Sequence, residues 1–186
     1  MLIDEMYANS MEMFDKIEIY DLLHSQTIPS VPVREYPKEE EGVDWNGFDK
    51  KYPTLTQLHY SDDIYDRYWV NECLDNLSYS GKYLDERYLK ELEEEARVKK
   101  VIGEKLGTNM FKYPITLKYY IDMMWECGSL VGAGRGSSCA ALNHYLLGIT
   151  QLDPIEWNLP FFRYMNEERT ELGCLILILP SCKKRV

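Results

Sequence analysis

Leu130-Val131-Gly132-Ala133-Gly134-Arg135-Gly136-Ser137-Ser138 leads from a short apolar segment through a glycine-rich turn toward the apolar run Ala140, Ala141, Leu142, Tyr145, Leu146 and Leu147. Gly132, Gly134 and Gly136 let the backbone take positive φ and come close to a ligand. Ser137 or Ser138 is suited to cap a helix over the apolar run. Such a helix would bring free backbone N–H groups and the positive end of its dipole together beside Arg135. The guanidinium of Arg135 adds a planar fork of donors that suits phosphate oxygens. The turn is therefore a candidate phosphate cradle. The plain alternative is a joint between a strand and a helix, because short glycine patterns also occur where nothing binds.

Upstream, Pro114 fits the first turn of a helix over residues 115–127, and Leu117, Tyr120, Ile121, Met124 and Trp125 leave it little polar surface. It is expected to be largely buried. The longest helix is expected over residues 83–106, where Leu84, Tyr88, Leu92, Ala96, Val101, Ile102 and Leu106 keep helical spacing. Its pairs Glu86/Lys90, Glu93/Arg97 and Glu95/Lys99 place glutamate four residues ahead of a cation, which reads as a solvated face, and Gly107 suits its end. A further helix is expected from Asp63 to the turn at residues 78–81.

Residues 44–61 carry Trp45, Phe48, Tyr52 and Tyr60 without a period and read as irregular or as a short strand-containing insertion. The three prolines in residues 28–37 bar regular helix and predict an extended connector. Residues 1–24 read as a surface helix or arm, with Met6, Met13, Ile17, Leu22 and Leu23 as its apolar positions.

With 186 residues, 45% hydrophobic and 28% charged, the chain suits one globular domain, or a domain plus an arm. It has no bilayer-length apolar stretch and no secretory leader pattern, so a cytoplasmic protein without a membrane partner is expected. Five cysteines, an odd and scattered set without a CxxC pair, indicate neither a disulfide framework nor a zinc site. They read mostly as reduced core residues. A net charge of −10 argues against autonomous DNA binding, which draws most of its affinity from neutralised phosphates. If the chain acts on nucleic acid, other parts of a larger machine supply the grip. His24, His59 and His144 are far apart and read as structural or exposed. Asp153, before Pro154, reads as a turn residue, and Trp157, Phe161, Phe162 and Tyr164 read as core rather than as base-stacking platforms.

The string VGAGRGSSCAALNHYLLGITQLDPIEWNLPFFRYMNEER, residues 131–169, resembles the palm of the bacterial replicative DNA polymerase III alpha subunit, the C family of DNA polymerases. That family shows a VGPGRGS turn, a helix ending YLLGIT, then DP, N-L, FxRF/Y and N-P-E-R in the same order and spacing. Residues 83–127 look like its run ahead of the turn, and residues 28–36 like the proline-rich join that leaves its N-terminal phosphoesterase-like domain. The resemblance implies that Arg135, Gly136, Ser137 and Ser138 contact the triphosphate of an incoming nucleotide. It also implies Mg2+ as cofactor, with DNA, dNTP and the remaining polymerase domains as partners. Ala133 and Glu167 depart from the pattern, standing where the family has proline.

A larger departure follows. The family continues into a strand with a PDxDxD-like pattern, whose aspartates share one face and hold two magnesium ions for phosphoryl transfer. Here Cys174 and Ile176 occupy the expected aspartate positions, and Ile178 a third often acidic one. None offers the hard oxygen that magnesium requires, so no polymerisation by this chain is expected.

Three origins fit such a tail: a degenerate palm kept for binding or regulation, a gene interrupted by an intron and read through, or a split intein starting at Cys174. The fold expected is α/β and mostly helical, a partial palm with an N-terminal helical arm. Its expected units are residues 1–43 (arm and connector), 44–173 (partial palm) and 174–186 (divergent tail). The function expected is that of a polymerase fragment inactive alone. The alternative is a non-enzymatic nucleotide-binding or polymerase-interacting module.

Overall fold

The computed structural model describes residues 2–16, 28–37 and 48–168. Helices dominate, as expected, and no strand occurs among the described residues. Residues 174–179, where the β contribution was expected, lie outside them, as do His24, Cys174, Ile176, Ile178 and Cys182.

Helix α1 (Leu2–Asp15) carries exposed Met6, Tyr7, Met13 and Phe14, in keeping with an arm. The remainder of the helix expected over residues 1–24 falls outside the described chain from residue 17 onward. Residues 28–37 have no regular structure, as their prolines require, yet they are tied down along their length. Thr116 Oγ1 donates to the Pro29 carbonyl at 3.0 Å, Tyr65 Oη to that of Val31 at 3.1 Å and Arg67 Nε to that of Tyr36 at 3.1 Å. The buried Tyr36 ends the segment with its hydroxyl on Glu72 Oε2 and Asp75 Oδ2, at 2.9 and 3.1 Å.

Of the region read as irregular or strand-containing, residues 44–47 lie outside the described chain and the remainder is largely helical instead, with α2 (Phe48–Lys51) and α3 (Pro53–His59). A cap borrowed from far along the chain makes α3 possible. The Glu93 carboxylate accepts Thr54 N at 2.9 Å and Leu55 N at 3.0 Å, two of the donors that a helix start leaves orphaned.

Helix α4 (Ile64–Tyr79) follows, then α5 (Glu86–Leu106), which Gly107 ends in the left-handed conformation at φ 63°. Trp69, Val70, Cys73, Leu74 and Leu77 of α4 pack in one buried cluster with Tyr88, Leu89, Leu92 and Ala96 of α5. Asp63 caps α4 by accepting Tyr65 N at 2.8 Å, and its other oxygen takes Asn109 Nδ2 at 2.8 Å. Asp63→Ala is expected to cost about 1–2 kcal/mol, read as a lower urea midpoint, since both a cap and a tertiary bond go. An unchanged midpoint would show that neither bond matters to stability.

Helix α6 (Lys112–Glu126) starts within three residues of its expected position but is only half buried. Ile115, Leu117 and Ile121 enter the core, whereas Tyr120, Met123 and Trp125 are each 43% exposed. The last helix, α7 (Leu142–Leu146), packs against both α4 and α5. Buried Cys73 and Cys139 are free thiols in the core, while Cys127 is free and exposed.

Candidate functional site

The glycine-rich turn is a fixed loop. Gln151 N donates to the Ala133 carbonyl at 2.7 Å, closing the loop against the segment that follows α7. Gly134 sits at φ 142°, and a Cβ there would lie 2.6 Å from Cys139 Sγ and 3.2 Å from Thr150 Cγ2. Only glycine fits this position. Gly136 has φ 60°, whereas Gly132 does not need a positive φ. Arg135, Gly136 and Ser137 are exposed, and the Arg135 guanidinium has no carboxylate in ion-pair range among the described residues.

The expected helix after the loop divides in two. Gly136–Ala140 form a 3-10 turn, and α7 is only five residues long, with Ala141 at its N-cap and no serine capping it. The expectation that free N–H groups of this helix converge beside Arg135 is therefore corrected. Those groups are already taken. Glu95, from the middle of α5, accepts Leu142 N at 2.5 Å, Asn143 N at 3.0 Å and Asn143 Nδ2 at 2.6 Å.

Glu95 and Lys99 were expected on a solvated face, yet both are fully buried, with Lys99 Nζ 3.8 Å from Glu95 Oε2. Burial pushes the Glu95 carboxyl up, against the pull of Lys99 and the three donors, and pushes the Lys99 ammonium down, against the pull of Glu95. Lys99 Nζ has no hydrogen-bond partner among the described residues but lies 5.3 Å from the ring centres of both Trp69 and Phe161. A signal was present in the sequence: Tyr88, Leu92, Glu95, Lys99 and Ile102 form one stripe at heptad spacing, so the charged pair stands in line with the core.

Ser138 has a different partner from the one expected. Its hydroxyl lies 2.8 Å from His144 Nδ1, and its carbonyl 3.2 Å from the same nitrogen. His144 is fully buried, and its Nε2 faces the Tyr164 hydroxyl at 3.2 Å. Burial, reinforced by the Lys99 charge, pushes the imidazole down to about 3, so it is neutral at physiological pH. The reading of the histidines as structural holds for His144. It holds also for buried His59, whose Nδ1 faces Asn71 Oδ1 at 2.9 Å.

Asp153 is the turn residue expected, its Oδ1 accepting Ile155 N at 2.9 Å and Glu156 N at 3.3 Å. Its other oxygen binds Lys82 Nζ and, at 2.7 Å, the Tyr88 hydroxyl, which fastens the loop region to the start of α5. Glu167 pairs with Arg97 Nη1 at 2.6 Å, and its carbonyl accepts Lys105 Nζ at 2.7 Å, so this departure from proline is held by α5. Phe161 is buried beside Tyr164, but Trp157 and Phe162 are 68% and 67% exposed and do not belong to the core as expected.

A separate cavity of about 610 Å3, lined by Gln57, Asp66, Lys100, Glu104 and Asn109 among others, includes none of the loop residues 132–138. Among the described residues no group of three or more His, Cys, Asp or Glu could hold a metal ion. No helix among them is long and apolar enough to cross a membrane.

The family profile described as "Bacterial DNA polymerase III alpha NTPase domain" matches residues 59–173. The chain belongs to the bacterial DNA polymerase III alpha family. Its match takes in α4 through α7, the glycine loop, His144 and Tyr164. Two relatives are 30% identical over 181 residues, 92% of this chain: the "Probable DNA polymerase YorL" of Bacillus subtilis strain 168 and the "DNA-directed DNA polymerase" of Bacillus phage SPbeta. The "DNA polymerase III subunit alpha" of Thermotoga maritima is 39% identical over 88 residues, 47% of this chain and 10% of that protein. The chain spans 14% of the length of the first two relatives, so what it shares with the DNA polymerase III alpha family is a fragment of those proteins. No solved structure matches it.

Proposed function

We propose that the chain is the part of a DNA polymerase III alpha-like palm that receives the triphosphate of an incoming dNTP, through Arg135, Gly136, Ser137 and Ser138. The observation that carries the reading is the loop itself. It leaves Arg135, Gly136 and Ser137 exposed while Ala133 and Ser138 are hydrogen-bonded to the segments behind it. A rigid loop with an exposed guanidinium offers donors to phosphate oxygens at little ordering cost. The contribution assigned to α7 at the sequence level is not part of this proposal, because Glu95 holds its amides.

DNA, dNTP and the remaining polymerase domains are the partners proposed, in a cytoplasmic replication machine. Residues 1–43, 44–173 and 174–186 are proposed as arm with connector, partial palm and divergent tail. Magnesium serves the family's chemistry, but the donor set here does not fit it. A thiol at Cys174 and a hydrocarbon at Ile176 replace the carboxylates a hard cation needs, and we assign this chain no metal-dependent step.

Titration with a fluorescent dNTP tests the reading. Arg135→Ala is expected to weaken binding by about tenfold or more, the loss of a charge-assisted bond to phosphate. Equal binding by the variant would remove the loop from the nucleotide site. Primer extension with magnesium is expected to yield no product, and extension by the purified chain would overturn the assignment of Cys174 and Ile176.

A further inference from the structure

We propose that His144 is a positioning residue which, with Tyr164, turns the Ser138 hydroxyl outward as a hydrogen-bond donor to an anionic oxygen bound at the glycine loop. The choice of a phosphate oxygen as that anion rests on the nucleotide reading above; the hydrogen-bond chain does not. Three contacts meet at the imidazole. Nδ1 lies 2.8 Å from Ser138 Oγ and 3.2 Å from the Ser138 carbonyl, and Nε2 lies 3.2 Å from the Tyr164 hydroxyl.

A carbonyl oxygen can only accept, so an Nδ1 that shares space with it carries the proton. Nε2 is then the bare nitrogen and accepts from Tyr164, whose hydroxyl donates. The Nδ1–H is shared between the Ser138 carbonyl and Oγ, and Oγ accepts it. The hydroxyl proton of Ser138 must then point away from the imidazole, which leaves it to a partner outside the His144–Tyr164 chain; its loop neighbours Arg135 and Ser137 are exposed. The opposite tautomer would set the Nδ1 lone pair against the carbonyl lone pairs and would consume the Ser138 proton inside the protein.

The arrangement is well supported mechanically. His144 is fully buried, its ring meets the Tyr164 ring edge-on at 4.8 Å, and its own carbonyl accepts Ile149 N at 2.8 Å and Thr150 N at 3.1 Å. Thr150 in turn occupies the space beside Gly134, its Cγ2 3.2 Å from where a Cβ on that residue would lie. One residue therefore sets both the position of Ser138 and the direction in which it donates.

The test reads the tautomer directly, on the full chain with 15N-labelled histidine. The side-chain correlations of His144 are expected to show a protonated Nδ1 and an unprotonated Nε2 at neutral pH. A protonated Nε2 would overturn the proposal without any ligand being added. Tyr164→Phe, which removes only the hydroxyl, is expected to populate the other tautomer.

With inorganic tripolyphosphate as probe, Ser138→Ala is expected to weaken binding about tenfold, and Tyr164→Phe about three- to tenfold. Wild-type binding that neither variant weakens would also overturn the proposal. The predicted tautomer in a chain that binds no tripolyphosphate supports the hydrogen-bond chain and overturns the nucleotide reading instead.

Discussion

Glu95→Gln is expected to lower the stability of the fold by about 3–5 kcal/mol, the usual cost of removing one partner from a buried ion pair. Two losses coincide at this residue. The ammonium of Lys99, fully buried and without a hydrogen bond among the described residues, loses its counter-charge. The start of α7 loses its cap as well, since an amide has one accepting oxygen where the carboxylate has two, and its NH2 would face a backbone donor. The measurement is urea unfolding followed by far-UV circular dichroism. Glu95→Gln combined with Lys99→Met removes the stranded charge and is expected to recover part of the loss. A single variant within 1 kcal/mol of wild type, or a double variant no more stable than the single, would mean that the pair does not hold α7 to α5.

Gly134→Ala is expected to act as strongly on the loop itself. Its φ of 142° costs an L residue about 1–3 kcal/mol before any contact is counted. The new methyl group would also meet Cys139 Sγ at 2.6 Å and Thr150 Cγ2 at 3.2 Å, and Cys139 and Thr150 are both buried, with little room to retreat. Faster amide exchange across residues 132–138 and a lower Tm are the readouts. Gly132→Ala supplies the control, because nothing lies within 4 Å of its Cβ position and its φ is not left-handed. It is expected to change stability by less than about 0.5 kcal/mol. Adding Cys139→Ala to Gly134→Ala is expected to restore part of the stability by removing the sulfur, but not the backbone strain. Equal behaviour of Gly132→Ala and Gly134→Ala would show that the loop can rearrange freely.

The long helices were legible because their periodicity and end signals are local. Asp63 and Gly107 mark boundaries within a few residues of the side chains they serve. What remained hidden depends on partners distant in sequence. Residues 53–59 have no side-chain cap of their own and read as irregular, yet Glu93 holds their amides across 38 and 39 positions. The same limit misplaced the helix after the glycine loop. A nearby serine looks like the natural cap, and only the tertiary structure shows Glu95 in that role while Ser138 turns to His144. Glu95 and Lys99 show how the i,i+4 rule misleads: the spacing that suits an exposed pair also suits a buried one, and the apolar stripe around them decides. The candidate site was legible in its chemistry, through Arg135 and the glycines, but not in its supports.

The two caps on α5 also bear on the order in which the structure can form. Glu93 and Glu95 are two positions apart and reach in different directions, one to α3 and one to α7. A five-residue helix is far too short to persist alone in water. A chain made from its N-terminus supplies the Glu95 carboxylate 47 residues ahead of the first amide it will hold. The first turn of α7, and with it the His144 that meets Ser138 of the glycine loop, therefore depends on an α5 that precedes it in the chain, although the loop's sequence looks self-contained.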